Sequence, residues 1–194
     1  LIKSGSTIGK KILLPTGTTV ITILTLLTWQ QCGYWKNSFT LFNHALRVTK
    51  DHYVTHSRLA SFLSEKGNFN AAIYHYNKAI SIKPQPLLSC AENQLARGNA
   101  YAGLLMYQLA IKDYDEAIRI KPDFVNAYFT RGTAYGKLLG QYDRALDDFN
   151  KTIQLKADHV DAYNNRGIVY TKLNMLDKAV DDFTKAILLR PDYR

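Results

Sequence analysis

From about residue 53 onward the chain alternates between two kinds of apolar block. One kind sets a small residue three before an aromatic, as in ARGNAY (Ala96 to Tyr101), TRGTAY (Thr130 to Tyr135) and NRGIVY (Asn165 to Tyr170). The other sets an alanine four before an aromatic, as in AIKDYDEAIRIKP, ALDDFNKTIQLKA and AVDDFTKAILLRP. Spacings of three and four put both residues on one face of a helix. Each pair of blocks therefore predicts two antiparallel helices, A and then B. A more divergent copy precedes them, SRLASFLSEKGNFNAAIYHYNKAISIKP. The segment before residue 53 has a different pattern: no residue from Ile12 to Trp35 is charged, a run of 24.

The B blocks begin at Ala72, Ala110, Ala145 and Ala179, with spacings of 38, 35 and 34 residues. A four-residue insert, Leu87 to Cys90, accounts for the first excess, and one extra residue in GKLLGQ accounts for the second. The underlying period is 34, so the chain divides into repeats at 53–86, 91–124, 125–159 and 160–193, with 87–90 inserted. Such a period marks a stacked array, in which no unit buries its apolar face alone.

The residues that recur are specific. Small residues stand at Ala60, Gly98, Gly132 and Gly167, with Leu63, Tyr101, Tyr135 and Tyr170 three later. The alanine–aromatic pairs are Ala72/Tyr76, Ala110/Tyr114, Ala145/Phe149 and Ala179/Phe183, and closing prolines stand at Pro84, Pro122 and Pro191. This pattern resembles the tetratricopeptide-repeat (TPR) family. Departures are Leu63, His56 and Gln94 in A helices, Thr152 for a second alanine, and Ala157 for a proline. The resemblance implies an all-α fold, about four and a half TPR units in a right-handed superhelix. Small residues belong where two helix backbones approach, aromatics between units, and prolines where helix B stops.

A correlation inside the sequence predicts a contact. Arg97, Arg131 and Arg166 precede the small residue, and Asp113, Asp148 and Asp182 precede the B-helix aromatic. In the divergent copy both are lost together, to Leu59 and His75. We expect a structural Arg–Asp pair between helices A and B of each of the last three units.

One period upstream of Ala72, the residues Ser38, Phe42 and Ala45 fall in the register of a helix B, which makes 35–52 a half repeat. Residues 1–34 form the segment before it. The uncharged run 12–35 has the length of a membrane span, begins after Lys10–Lys11 and ends in Trp29, Tyr34 and Trp35, flanks suited to two bilayer faces. Its threonines recur at helical spacing, where hydroxyls can bond back to carbonyls. A transmembrane helix is the expectation. Pro15 and Gly17 favour the alternative, an N-terminal helix of a soluble array. An apolar helix running into TWQQCGYWKNSFTLFNHALRVTKDHYVTH and then TPR units is similar to the C-terminal part of transmembrane, TPR-containing O-mannosyltransferase-like proteins. That resemblance implies an array on the periplasmic or lumenal face. The family's catalytic acids lie upstream, so none carries over. The chain opens without methionine and ends just past Pro191, as expected of part of a longer protein.

Charge fits this division. The net charge is +9, yet the first 50 residues hold six basic residues and no acid. From Asp51 on, 19 basic residues face 16 acidic ones, which argues against nucleic acid as a partner. Cys32 and Cys90 form no motif. No phosphate-binding, dinucleotide or nucleophile-elbow motif occurs. His52 and His56 could share a helix face, but no third metal ligand is evident. The paired acids Asp147–Asp148 and Asp181–Asp182 each lose one member to the arginines, and the sequon at Asn150 falls mid-helix. No enzyme activity, cofactor or small-molecule substrate is expected.

What remains is a surface. The concave face of such an array is lined by A helices. Here the lining is expected to be Ser57, Arg58 and Ser61; Glu92, Leu95 and Asn99; Asn126, Phe129 and Thr133; and Asp161, Asn164, Ile168 and Lys172. TPR modules that clamp a chaperone's terminal carboxylates carry a Lys/Asn/Arg set there, and these units lack it. The expected function is a membrane-tethered scaffold for a protein or peptide. The alternatives are a regulatory or substrate-presenting tail of a membrane glycosyltransferase, or a basic soluble array touching RNA or anionic lipid.

Overall fold

The computed structural model describes residues 23–28, 40–41, 44–45, 48, 52–82, 86–138 and 140–191. The chain forms two compact units, 1–50 and 51–194. In the first, residues 23–28 are helical, with Ile23, Leu24, Leu26 and Leu27 exposed. Thr28 Oγ1 donates to Leu24 O at 2.7 Å, the backbone bond expected of these threonines. Most of the predicted membrane segment 12–35 and of the half repeat 35–52 lies outside the described residues. Among the described residues, no helix is long and apolar enough to cross a membrane.

The second unit is all helical. Its elements are α1 (Tyr53–Glu65), α2 (Phe69–Ser81), α3 (Leu87–Gly103), α4 (Tyr107–Ile120), α5 (Val125–Thr133), a π turn (Ala134–Leu138), α6 (Tyr142–Leu155), α7 (Val160–Lys172) and α8 (Leu176–Leu189). They pack as the pairs α1/α2, α3/α4, α5/α6 and α7/α8, each pair stacked on the next. The small residues stand where the pattern required. A Cβ built on Gly98 would lie 2.6 Å from Tyr114 Cε1, on Gly132 3.1 Å from Phe149 Cε1, and on Gly167 2.7 Å from Phe183 Cε1. Each glycine thus seats the aromatic of its own helix B. Ala60, Ala72, Ala79, Ala110, Ala117 and Ala145 are fully buried. Thr152 is also buried in place of an alanine, and it satisfies its hydroxyl by donating to Asp148 O at 2.8 Å.

Helix B ends in the same way with or without proline. Lys121, Lys156 and Arg190 all turn to extended backbone, although Ala157 stands where Pro122 and Pro191 stand. Pro84 lies outside the described residues. The insert Leu87 to Cys90 is the first turn of α3, which runs 17 residues where α1 and α7 run 13. Four residues are about one helical turn, so they lengthen the helix without rotating its apolar face.

The extra residue of the third unit is absorbed differently. In three units the A-to-B turn is closed by a backbone bond to the carbonyl five residues back: Asn68 to Leu63, Met106 to Tyr101 and Met175 to Tyr170, each 2.9 Å. In the third, Gln141 N reaches six back to Tyr135 O, also at 2.9 Å. The added residue widens the end of helix A into the π turn, the form a single insertion takes inside a helix.

Each turn also needs one left-handed residue: Gly67, Leu105, Gly140 and Asn174. Leu105 is exposed and non-glycine at φ 63°. The left-handed region costs such a residue about 1–2 kcal/mol, of which glycine's extra unfolded-state freedom returns about 0.5–1. Leu105→Gly should therefore raise stability by about 0.5–1 kcal/mol. A urea midpoint at or below that of the unaltered protein would show the turn to be unstrained.

Candidate functional site

The predicted Arg–Asp pairs form in all three units. Arg97, Arg131 and Arg166 donate from Nε to Oδ2 of Asp113, Asp148 and Asp182 at 2.8, 2.9 and 2.7 Å. Their Nη2 groups donate to Oδ1 at 2.6, 2.7 and 2.6 Å. The aspartates are buried and the arginines mostly so. Bonds to Asp113 and Asp182 push Arg97 and Arg166 further up than usual, against burial. Burial alone would lower Arg131, but Asp148 and Asp115 carry it upward.

A third bond was not anticipated. Nη1 of each arginine donates to helix B of the preceding unit: Arg97 to Asn77, Arg131 to Asp115 and Arg166 to Asn150. The signal was present, since each acceptor directly follows a B-helix aromatic. In the first unit His75 faces His56 instead, with the two Nδ1 atoms 2.9 Å apart. Such a bond needs one protonated and one bare nitrogen. Burial, with His56 alongside, holds His75 below the usual imidazole range. His52 uses Nδ1 to accept from Val54 N, and His56 turns its own Nδ1 to His75. Among the described residues no group of three or more His, Cys, Asp or Glu could hold a metal ion.

The residues expected to line the A-helix face divide three ways. Arg58, Ser61, Glu92, Asn99, Asn126, Ile168 and Lys172 are exposed. Ser57, Phe129, Thr133, Asp161 and Asn164 are half-buried. Leu95 is a correction: it is 9% exposed and belongs to the core cluster with Tyr114, Ala127 and Ala134. An apolar side chain there gains more by joining the core of its own and the next unit than by facing water. Several others are held by their neighbours. Ser57 Oγ donates to Asn93 Oδ1 at 2.6 Å, and Phe129 packs against the rings of Phe149 and His159. Burial holds His159 below the usual imidazole range.

The B-helix aromatics meet this face differently from unit to unit. Tyr76 OH meets Ser61 Oγ at 3.2 Å, and Tyr114 OH donates to Asn99 Oδ1 at 2.9 Å. Burial pushes the Tyr114 hydroxyl well up. In the third unit the aromatic is Phe149, which has no hydroxyl to bridge to Thr133 at the matching position. A cavity of about 230 Å³ opens there. Phe149, Val169, Gly136 and Tyr142 line it, along with Thr133, Asn165, Ile168 and Lys172. Thr133 Oγ1 donates to Phe129 O at 2.9 Å and accepts from Asn165 Nδ2 at 3.3 Å. Three of the expected face residues, Thr133, Ile168 and Lys172, thus meet at one place. Reading the sequence alone missed the cavity's other walls, and the 35-residue spacing was the signal for them.

Residues 55–86 and 160–193 match tetratricopeptide-repeat family models, and 98–138 and 138–174 match a further TPR-repeat model. The chain belongs to the tetratricopeptide-repeat family. Among solved structures, a crystal structure of MamA shares the fold at 24% identity and a TM-score of 0.73, covering 84% of this chain and 92% of MamA. The second TPR of Spaghetti (RPAP3), bound to the HSP90 peptide SRMEEVD, is 29% identical with a TM-score of 0.50, covering 52% of this chain and 92% of that one. The Arabidopsis OM64 TPR domain is 26% identical with a TM-score of 0.55, covering 56% and 89%. These likenesses concern the TPR fold and carry nothing on the resemblance to membrane O-mannosyltransferases.

Proposed function

We propose that this chain is a protein-interaction scaffold without catalysis of its own, holding an extended peptide or partner segment on its A-helix face. The observation that carries this reading is the open cavity between α5 and α7, where Ile168 and Lys172 are both exposed. A related TPR array, that of Spaghetti, holds a peptide, which supports the same use here. The uncharged run 12–35, with tryptophan and tyrosine at its end, supports a tether to a membrane, and the resemblance to transmembrane, TPR-containing O-mannosyltransferase-like proteins implies an array on the extracytoplasmic side.

Photocrosslinking in cells tests both parts. A photoreactive amino acid at Asn126 or Ile168 should give discrete protein adducts, recovered with the membrane fraction. The same group at exposed Lys112 on helix B should give none. Equal adducts from Lys112 would overturn the face, and adducts found only in the soluble fraction would overturn the tether.

A further inference from the structure

We infer that the cavity beside the π turn of the third unit is a specificity pocket for one kind of peptide: an extended segment with a leucine- to phenylalanine-sized side chain beside an acidic residue. This deepens the proposed function and rests on its reading of the A-helix face as the partner surface.

Size is the first argument. An apolar cavity of about 150 Å³ takes a benzene-sized molecule. The volume of about 230 Å³ therefore admits one large side chain of a peptide but not a folded element. Polarity is the second. Phe149 and Val169 make the wall apolar, and Gly136 adds no side chain. At the rim, Asn165 bonds Thr133 and still keeps a carbonyl oxygen and a second N–H. A carboxamide with both functions reads a peptide backbone, which presents one donor and one acceptor per residue.

Charge is the third argument. Lys172 is exposed at the cavity and pairs with no carboxylate among the described residues. Arg97, Arg131 and Arg166, by contrast, are each tied to an aspartate. An ammonium beside an apolar hole favours a carboxylate beside an apolar side chain. The fourth is the irregularity of the backbone. Among the described residues the π turn occurs in one A helix, and it brings Gly136 to the cavity wall. A single inserted residue of this kind often marks a working site.

The test is selection of a phage-displayed random nonapeptide library on the full 194-residue chain. Selected peptides are then synthesised with a fluorescent label and titrated against variants. Enrichment of leucine, methionine or phenylalanine next to Asp or Glu is expected. Lys172→Glu should weaken the selected peptides by about tenfold or more, while Lys172→Arg retains binding. Ile168→Trp, which crowds the mouth, should weaken them by a similar factor. Both positions are exposed, and unchanged circular-dichroism melting confirms that the variants fold. If peptides are enriched that photocrosslink at Asn126 but lack this signature and ignore Lys172→Glu, the pocket falls while the A-helix face stands. If no peptide is enriched, or the enriched ones crosslink from Lys112, both readings fall.

Discussion

Replacing Arg131 with leucine is expected to lower the unfolding free energy by about 3–5 kcal/mol, read as a fall in the urea midpoint. The magnitude follows from what is left behind. Asp148 is 5% exposed and takes both of its bonds from Arg131, at 2.9 and 2.7 Å. Without the guanidinium an ionised carboxylate stays buried and unpaired, whereas losing both partners together leaves only an apolar contact to repack. Arg131→Leu with Asp148→Leu should therefore recover most of the loss. The first unit already lacks both charges, with Leu59 fully buried at the arginine position and His75, bonded to His56, at the aspartate position. Asp115, the third partner, is 52% exposed, so Asp115→Ala should cost about 1 kcal/mol or less. If Arg131→Leu unfolds at the same midpoint as the unaltered chain, the pairs carry no stability.

The third bond gives these arginines a second consequence. Each joins helices A and B of one unit and then reaches helix B of the unit before it. In an array whose stability is a sum of unit and interface contributions, such a residue couples neighbours as well as holding its own unit. Loss of Arg131 should thus broaden the transition as well as lower it, because the units before and after it unfold less in concert.

The sequence disclosed these pairs because two positions changed together, arginine to leucine and aspartate to histidine. It hid the inter-unit bond because Asn77, Asp115 and Asn150 are not one residue type, although all three offer a side-chain oxygen. Counting residues showed that the third unit carries one too many. Counting could not show whether the excess would extend a loop or widen a helix, since both keep the flanking registers. Leu95 illustrates another limit. Its position along helix A points to the open face, but an apolar side chain follows the neighbours it can cover, and those lie in a core cluster shared between its own unit and the next. The apolar run before residue 36 is plain in the sequence and lies mostly outside the described residues.

Phe149→Ala should have an effect as large as that of Arg131→Leu, by a different route. Phe149 is 1% exposed, sits against Gly132 and walls the cavity beneath Thr133. Truncating a buried phenylalanine costs about 3–5 kcal/mol, and more where the surroundings cannot collapse. Here the vacated space adjoins an existing cavity of about 230 Å³, which puts the expectation at the upper end of that range. A loss near 1 kcal/mol would mean that the units close over the gap and that the cavity is not rigidly held. The informative companion is Phe149→Tyr. Its hydroxyl would stand toward Thr133 as Tyr114 OH stands toward Asn99, remaking the closed form of the second unit. Stability should then stay within about 1 kcal/mol of the unaltered chain, because the new hydroxyl finds a partner. Peptide binding at the pocket should fall, because the hydroxyl occupies the space that an anchoring side chain needs. Stability follows the ring of residue 149, while recognition follows the missing hydroxyl, so the two variants separate what the side chain does for the fold from what it does for the site.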